Sequence, residues 1–329
     1  MTVLFQKCRC LFLVVGLAIA PSGFAASFTH FFVFGDSLSD TGNRASISLP
    51  FVWPYYKNRV SNGPVAVDQL GARLSLPVNA SLHLVAQSGG TNYAVAGAIA
   101  RGAGSIDLDR QVDAFLTKYV NKAPAGALYV MMIGANDVRD AIVATSTSAA
   151  NQIVDGAAAQ IKVQLDRLLQ AGAGNIAVVN VPDLGITPEA RIVSQQNGDP
   201  GLIARASQLS GRFNSQLATR LQQIESASGV DLIEFDFYTQ FNSVLANATS
   251  LGFTNITDAC FEPGSLSFHP DCFLGTGFDR FVFFDELHPT SKTHKLIGNA
   301  LYNTVNSHVP TTSNNSIGIG GILMLLLED

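Results

Sequence analysis

Ser37 follows an unbroken apolar run and stands in the segment Gly35-Asp36-Ser37-Leu38. A serine hydroxyl is a weak nucleophile at neutral pH. It becomes effective when a base takes its proton and a carboxylate orients that base. The segment Asp285-Glu286-Leu287-His288-Pro289 offers such a pair, with Asp285 and His288 three positions apart, close enough for the carboxylate to orient one imidazole nitrogen. Acyl transfer also needs hydrogen-bond donors aimed at the oxyanion that develops on the carbonyl oxygen. Three donors are at hand. The backbone N–H of Ser37 sits at a strand end, before an expected helix N-terminus whose dipole favours negative charge. The backbone N–H of Gly97 can approach a ligand with no Cβ in the way. The side-chain amide of Asn136 follows an apolar run, in Gly134-Ala135-Asn136-Asp137. Taken singly, each has an ordinary structural reading: a serine in a turn caps a helix, an asparagine after a strand forms a turn, and Asp-x-x-His is a solvated loop.

These residues must be carried by elements that bring them together. Residues 31–34 and 128–133 are apolar runs of strand length, 176–181 and 230–235 are mostly apolar candidates, and 82–86 is a weaker fifth. Runs apolar throughout suit strands buried on both faces of a parallel sheet. Between them, Ile153, Ala157, Ile161, Leu165 and Leu168 recur at helical spacing before Gly172, as do Leu209, Phe213, Leu217 and Leu221 before Gly229. Alternating strands and helices imply an α/β fold with helices on both faces of the sheet. Ligands of such sheets sit beyond the carboxyl ends of the strands, where Ser37 and Asn136 fall.

In content and order these segments resemble the GDSL esterases and lipases, the SGNH hydrolases. Gly35-Asp36-Ser37-Leu38 matches the block that names the family, and Ser39-Asp40-Thr41-Gly42-Asn43 continues it. Asn92 to Gly97, Gly134-Ala135-Asn136-Asp137 and Asp285 to Pro289 match the later blocks, and Ser61-Asn62-Gly63-Pro64 and Phe213-Asn214 add to the likeness over residues 30 to 305. Where many members carry Gly-Gly, this chain has Ala96-Gly97. The G-x-S-x-G elbow of α/β-hydrolases is absent from the sequence. The resemblance implies a three-layer, flavodoxin-like α/β/α sandwich with a five-stranded parallel sheet, and no metal or organic cofactor. It implies Ser37, Asp285 and His288 as catalytic residues, with Ser37, Gly97 and Asn136 forming the oxyanion hole. The expected activity is hydrolysis of small-molecule, lipid or glycan esters through an acyl-enzyme. Phospholipase, acyltransferase and carbohydrate acetylesterase activities are alternatives within the family, and a non-catalytic binding module on the same scaffold is another.

Of the 329 residues, 47% are hydrophobic and only 14% charged, which excludes a disordered chain. The net charge of −5, with no long basic run, gives nucleic acid nothing to bind. Lys7 and Arg9, the apolar stretch 11–20 and the small residues at 23–26 have the layout of a secretory leader over residues 1–26. That places the protein outside the cytoplasm, secreted or periplasmic, where transient membrane or cell-surface contact is open to it. Residues 27–308 would form the hydrolase domain, and 309–329 a linker with an apolar tail shorter than the ~20 residues of a spanning helix. Beyond the leader, Cys260 and Cys272 remain, an even pair in an oxidising compartment, expected as a disulfide across a loop. One nearby histidine, His269, and two cysteines with no C-x-x-C make poor zinc spacing. The stretch 51–56, with the only tryptophan, could wall an acyl or sugar site or pack on the core.

Overall fold

The first apolar run becomes β1 (Phe31–Gly35), buried at every residue. Strand side chains alternate between faces, so Phe32 and Phe34 enter one hydrophobic cluster while Phe31 and Val33 enter another. Each buried aromatic contributes roughly 1.5–3 kcal/mol, so both faces of the strand must be covered. The computed structural model describes residues 28–308 except 88 and 276; the expected leader and the tail at 309–329 lie outside the described residues.

β2 (Leu128–Met132), β3 (Asn175–Val179) and β4 (Ile233–Phe235) complete a parallel sheet in the order β1-β2-β3-β4. Val33 pairs with Val130, Val130 with Ala177 and Ala177 with Ile233. On the face of Phe31 and Val33 lie α1 (Ala66–Leu74), α7 (Phe237–Ala246) and α8 (Ser291–His308), which bury Leu70, Phe241 and Leu301. On the opposite face α2 (Leu108–Lys118), α3 (Ala135–Ile142), α4 (Thr147–Gln170) and α6 (Leu202–Ser228) bury Phe115, Val138, Ile161 and Phe213. The helical repeats at 153–168 and 209–221 thus lie in α4 and α6, and the layers are α/β/α. A further helix, α5 (Pro188–Asn197), follows β3, started by Thr187, whose hydroxyl accepts the Ala190 N–H.

The sheet has four strands rather than the expected five. Residues 82–86 do not form a strand: His83–Val85 is a 3₁₀ turn, flanked by Leu82 and Ala86 in the left-handed region (φ 57° and 53°). The free edge of β1 is lined instead by residues 91–95. Val33 N–H donates to the Thr91 carbonyl (3.2 Å), Tyr93 N–H to Val33 (2.7 Å) and Val95 N–H to Gly35 (3.0 Å), with a single bridge between Val33 and Asn92. That segment is held straight without becoming a regular strand.

Beyond the main sheet, β5 (Asn255–Ala259) pairs in parallel with β8 (Phe281–Phe283). Cys260 and Cys272 form a buried disulfide with Cα atoms 5.4 Å apart. The segment between them is not all loop, as expected, but holds an antiparallel hairpin of β6 (Phe261–Glu262) and β7 (Ser267–Phe268).

Candidate active site

Ser37 lies just past the carboxyl end of β1 in a tight turn, not before a helix as expected. Ser39 and Asp40 both donate their N–H to the Asp36 carbonyl (3.1 and 3.0 Å), which curls the chain around Ser37. The Asp36 carboxylate accepts the Leu38 N–H (3.0 Å) through Oδ1, while its Oδ2 is buried with no partner among the described residues. Burial pushes this carboxyl up to about 7.

His288 comes to Ser37 from the other end of the chain. Its Nε2 stands 2.8 Å from Ser37 Oγ, and its Nδ1 stands 2.8 and 2.9 Å from the two oxygens of Asp285. An ionised carboxylate only accepts, so Nδ1 carries the proton and Nε2 is left to accept from the serine hydroxyl. The loop that presents this pair follows β8. Asp285 Oδ1 also accepts the N–H groups of Leu287 (2.9 Å) and His288 (2.7 Å), and Phe284 N–H closes the turn on the His288 carbonyl (2.8 Å). Burial pushes the Asp285 carboxyl up, but the charge of His288 and these hydrogen bonds outweigh it and hold Asp285 below its ordinary value. For His288, burial favours the neutral ring and the adjacent carboxylate favours the cation; the net direction is upward.

The three oxyanion-donor candidates are brought to neighbouring segments. Asn136 opens α3 behind Gly134 (φ +119°), where a Cβ would run into the Phe213 ring. Its Nδ2 donates to the Ala98 carbonyl (2.9 Å) and its Oδ1 accepts from Arg139 Nη1 (3.2 Å). Gly97, at φ +88°, is an exposed turn position that an L-residue would occupy with strain. Neither Ser37 N–H nor Gly97 N–H has an acceptor among the described residues. The turns that carry them are joined by Asp40, whose carboxylate accepts the N–H of Ala96 (2.8 Å) as well as those of Gly42, Asn43 and Arg44 (2.7, 2.7 and 2.9 Å). Asn43 Nδ2 donates to the carbonyls of Asn92 and Ala94 (2.8 Å each), and Asn92 Nδ2 donates to Ser39 (2.6 Å). Ser61 Oγ likewise donates to the Pro289 carbonyl (2.9 Å) and pins the end of the histidine loop.

Beside Ser37 and His288 a mostly apolar cavity opens among the ends of the strands. Leu38, Leu184, Phe237, Phe241, Phe283 and Leu287 supply its apolar wall, and Asp36, Asn136 and Asp183 its polar points. Phe241 stacks edge-on against Phe237 and Phe283, with ring centres 5.7 Å apart in both pairs. The tryptophan is elsewhere: Trp53 is 67% exposed and rests against Phe268, so the stretch 51–56 neither walls the cavity with its tryptophan nor buries it. Pro54 is buried, and Tyr55 packs on Phe261 and Phe284. Cys260 and Cys272 are joined to each other rather than open to a metal.

Sequence reasoning missed the cavity wall of α7 and the ion pair of Arg139 with Glu189. It also left unread the roles of Asp40, Asn43 and Asn92. Their one available signal was polar residues set among segments apolar enough to be buried.

The family described as GDSL-like lipase/acylhydrolase matches residues 31–301. The chain is 30% identical to the phosphatidylcholine-sterol acyltransferase of Aeromonas hydrophila, over 79% of this chain and 73% of that one. It is 28% identical to a GDSL esterase/lipase of Arabidopsis thaliana, over 89% and 91%. It is also 27% identical to Lipase 1 of Photorhabdus luminescens, over 95% of this chain but only 56% of that protein's length. Among solved structures, a catalytic mutant of an acetylxylan esterase from Geobacillus stearothermophilus aligns with a TM-score of 0.47 at 15% identity, over 86% and 96%.

Proposed function

The chain belongs to the GDSL-like lipase/acylhydrolase family, and from that membership we propose that it is a serine ester hydrolase working through an acyl-enzyme on Ser37. The observation that carries this reading is the continuous hydrogen-bonded relay Asp285–His288–Ser37 at the edge of an apolar cavity. Ser37 Oγ attacks the ester carbonyl carbon as its proton passes to His288 Nε2. The carbonyl oxygen becomes an oxyanion facing the N–H groups of Ser37 and Gly97 and the Asn136 amide. Collapse breaks the bond to the alcohol, which leaves with the proton from His288. Water then attacks the acyl-serine, gives its proton to His288, and the acid departs as Ser37 regains a hydrogen. Throughout, Asp285 stays ionised and stabilises the imidazolium.

The substrate we infer is an ester of an aliphatic acyl chain. The residues Leu38, Leu184, Phe237, Phe241, Phe283 and Leu287 support this, since they set apolar surface and few partners for sugar hydroxyls beside Ser37, around a cavity of about 20 Å³ that must widen to take the chain. The relatives named as a lipase and a phosphatidylcholine-sterol acyltransferase support the same class. An alcohol taking the place of water in the second step would make the acyl-enzyme a transferase. The reading includes export to the periplasm or medium, supported by the leader-like residues 1–26 and by the disulfide. It also includes transient contact with a lipid surface, supported by the exposed Leu49, Val52 and Trp53.

Hydrolysis of p-nitrophenyl esters tests it. Ser37→Ala is expected to lose about 10⁴- to 10⁶-fold in kcat while its melting temperature holds. Unchanged turnover in the folded variant overturns the reading. Faster turnover of acetylated xylan than of medium-chain esters overturns its acyl-chain part alone.

A further inference from the structure

Arg139 lies one turn beyond Asn136 on α3 and points back at it. Its Nη1 donates to Asn136 Oδ1 (3.2 Å), while Nε and Nη2 form a two-pronged pair with the Glu189 carboxylate, the Nε contact measuring 2.8 Å. Glu189 sits in the first turn of α5, and its own backbone N–H donates to the Glu286 carbonyl (2.8 Å), next to Asp285. A continuous path therefore runs from the amide of Asn136 through Arg139 and Glu189 to the loop that carries His288.

We propose that the Arg139–Glu189 pair is a positioning device for the reaction. It fixes which end of the Asn136 amide faces the oxyanion, from a pair whose Glu189 backbone is anchored to the acid–base loop. The proposal rests on the reading of Asn136 as an oxyanion donor. A primary amide can turn over about its last side-chain bond, and the two orientations have opposite consequences. One presents N–H to the oxyanion; the other presents a carbonyl oxygen that repels it. Arg139 can only donate and the Ala98 carbonyl can only accept, so together they select Oδ1 toward Arg139 and one Nδ2 hydrogen toward Ala98. The second Nδ2 hydrogen is left for the reacting oxygen. A guanidinium anchored at one nitrogen would swing; the two-pronged grip of Glu189 fixes its plane. The Arg139 side chain is 38% exposed, and ion pairs so open to water add little stability. A pair that matters to the reaction and little to the fold has a distinct kinetic signature.

The test compares kcat, KM and melting temperature for Asn136→Ala, Arg139→Met, Glu189→Gln and the double variants that add Asn136→Ala to each. Arg139→Met is expected to lower kcat about 10- to 50-fold with KM within about twofold, because a misplaced donor is felt in the transition state. Glu189→Gln keeps an acceptor but loses the charge, so its loss in kcat is smaller. The decisive result is the cycle. If Arg139 acts through Asn136, the double variant is no slower than Asn136→Ala alone. Losses that multiply, or an unchanged kcat in Arg139→Met, overturn the proposal. Should Arg139→Met fail to fold, the Glu189→Gln cycle decides by the same criterion. Asn136→Ala alone reports separately on the oxyanion reading: an unchanged kcat there removes the donor, and the positioning role with it, while Ser37→Ala still reports on the hydrolase.

Discussion

Around Ser37 the backbone is held by a network of buried carboxylates and amides, whereas around His288 a single carboxylate, Asp285, is backed by aromatic packing and a disulfide. Asp40 gathers four backbone N–H groups, and Asn43 and Asn92 lace the serine turn to residues 92–96. On the other side, Phe284 packs against Tyr55, Phe261 and Phe278, and Cys260 and Phe261 donate their N–H groups to the carbonyls of Phe283 and Phe284 just before Asp285. The difference fits what the proposed reaction asks of each half. An oxyanion site needs backbone N–H groups fixed in unusual turns, and only directional polar partners can fix them. A general base needs its ring held against one carboxylate, which a packed loop achieves. The polar half is therefore the brittle one, because a lost acceptor strands buried donors that nothing else can satisfy.

Asp40→Ala breaks the polar half most severely. It leaves four N–H groups without their acceptor and is expected to cost about 3–5 kcal/mol of stability, with activity lost, read from urea unfolding. An effect under about 1 kcal/mol would show that the turns hold themselves. The aromatic half should yield less. The double variant Cys260→Ala/Cys272→Ala releases a loop of sequence separation 12 and is expected to cost about 2–3 kcal/mol, with the relay weakened rather than abolished. A loss of activity as complete as that of Asp40→Ala would erase the contrast between the halves.

The smallest effect is a shift in pH dependence. His288 accepts the serine proton only when neutral, and its folded value lies above the ordinary 6.5. The rate should therefore rise about tenfold per pH unit on the acid side, reaching its midpoint above that of a free histidine. The charge of Asp36 adds to the upward pull on His288, so Asp36→Asn is expected to lower the midpoint. A midpoint at or below 6.5 in the parent protein would show that burial outweighs the Asp285 charge at His288.

The aromatic and polar halves also differ in how far they could be read from sequence. Apolar runs buried on both faces announced β1, β2 and β3, and helical spacing announced α4 and α6, because hydrophobic burial leaves a periodic trace. The meeting of Ser37, Asp285 and His288 was legible because the nucleophilic chemistry proposed for them restricts residue types so tightly. Residues 82–86 misled because an apolar run does not reveal that the Asn43 side chain accepts the Leu82 N–H (2.9 Å) and helps bend the chain there. Residues 91–95 went unread as the edge of the sheet because the buried Asn92 breaks the apolar pattern, its amide being satisfied by Ser39 and Thr41. The polar sequence of β5 concealed a strand that pairs with β8. Arg139 and Glu189 are fifty positions apart, and only the packed α/β/α layers make them neighbours.

Whether Ser37 is the residue that receives the acyl group can be decided by covalent labelling. The full chain is treated with a fluorophosphonate, and its peptides are mapped by mass spectrometry while residual esterase activity is followed. One adduct per chain is expected, on the peptide that contains Ser37, with activity lost in step and no adduct in Ser37→Ala. An adduct on a different serine accompanied by loss of activity, or complete labelling of Ser37 with esterase activity intact, would rule Ser37 out as the nucleophile.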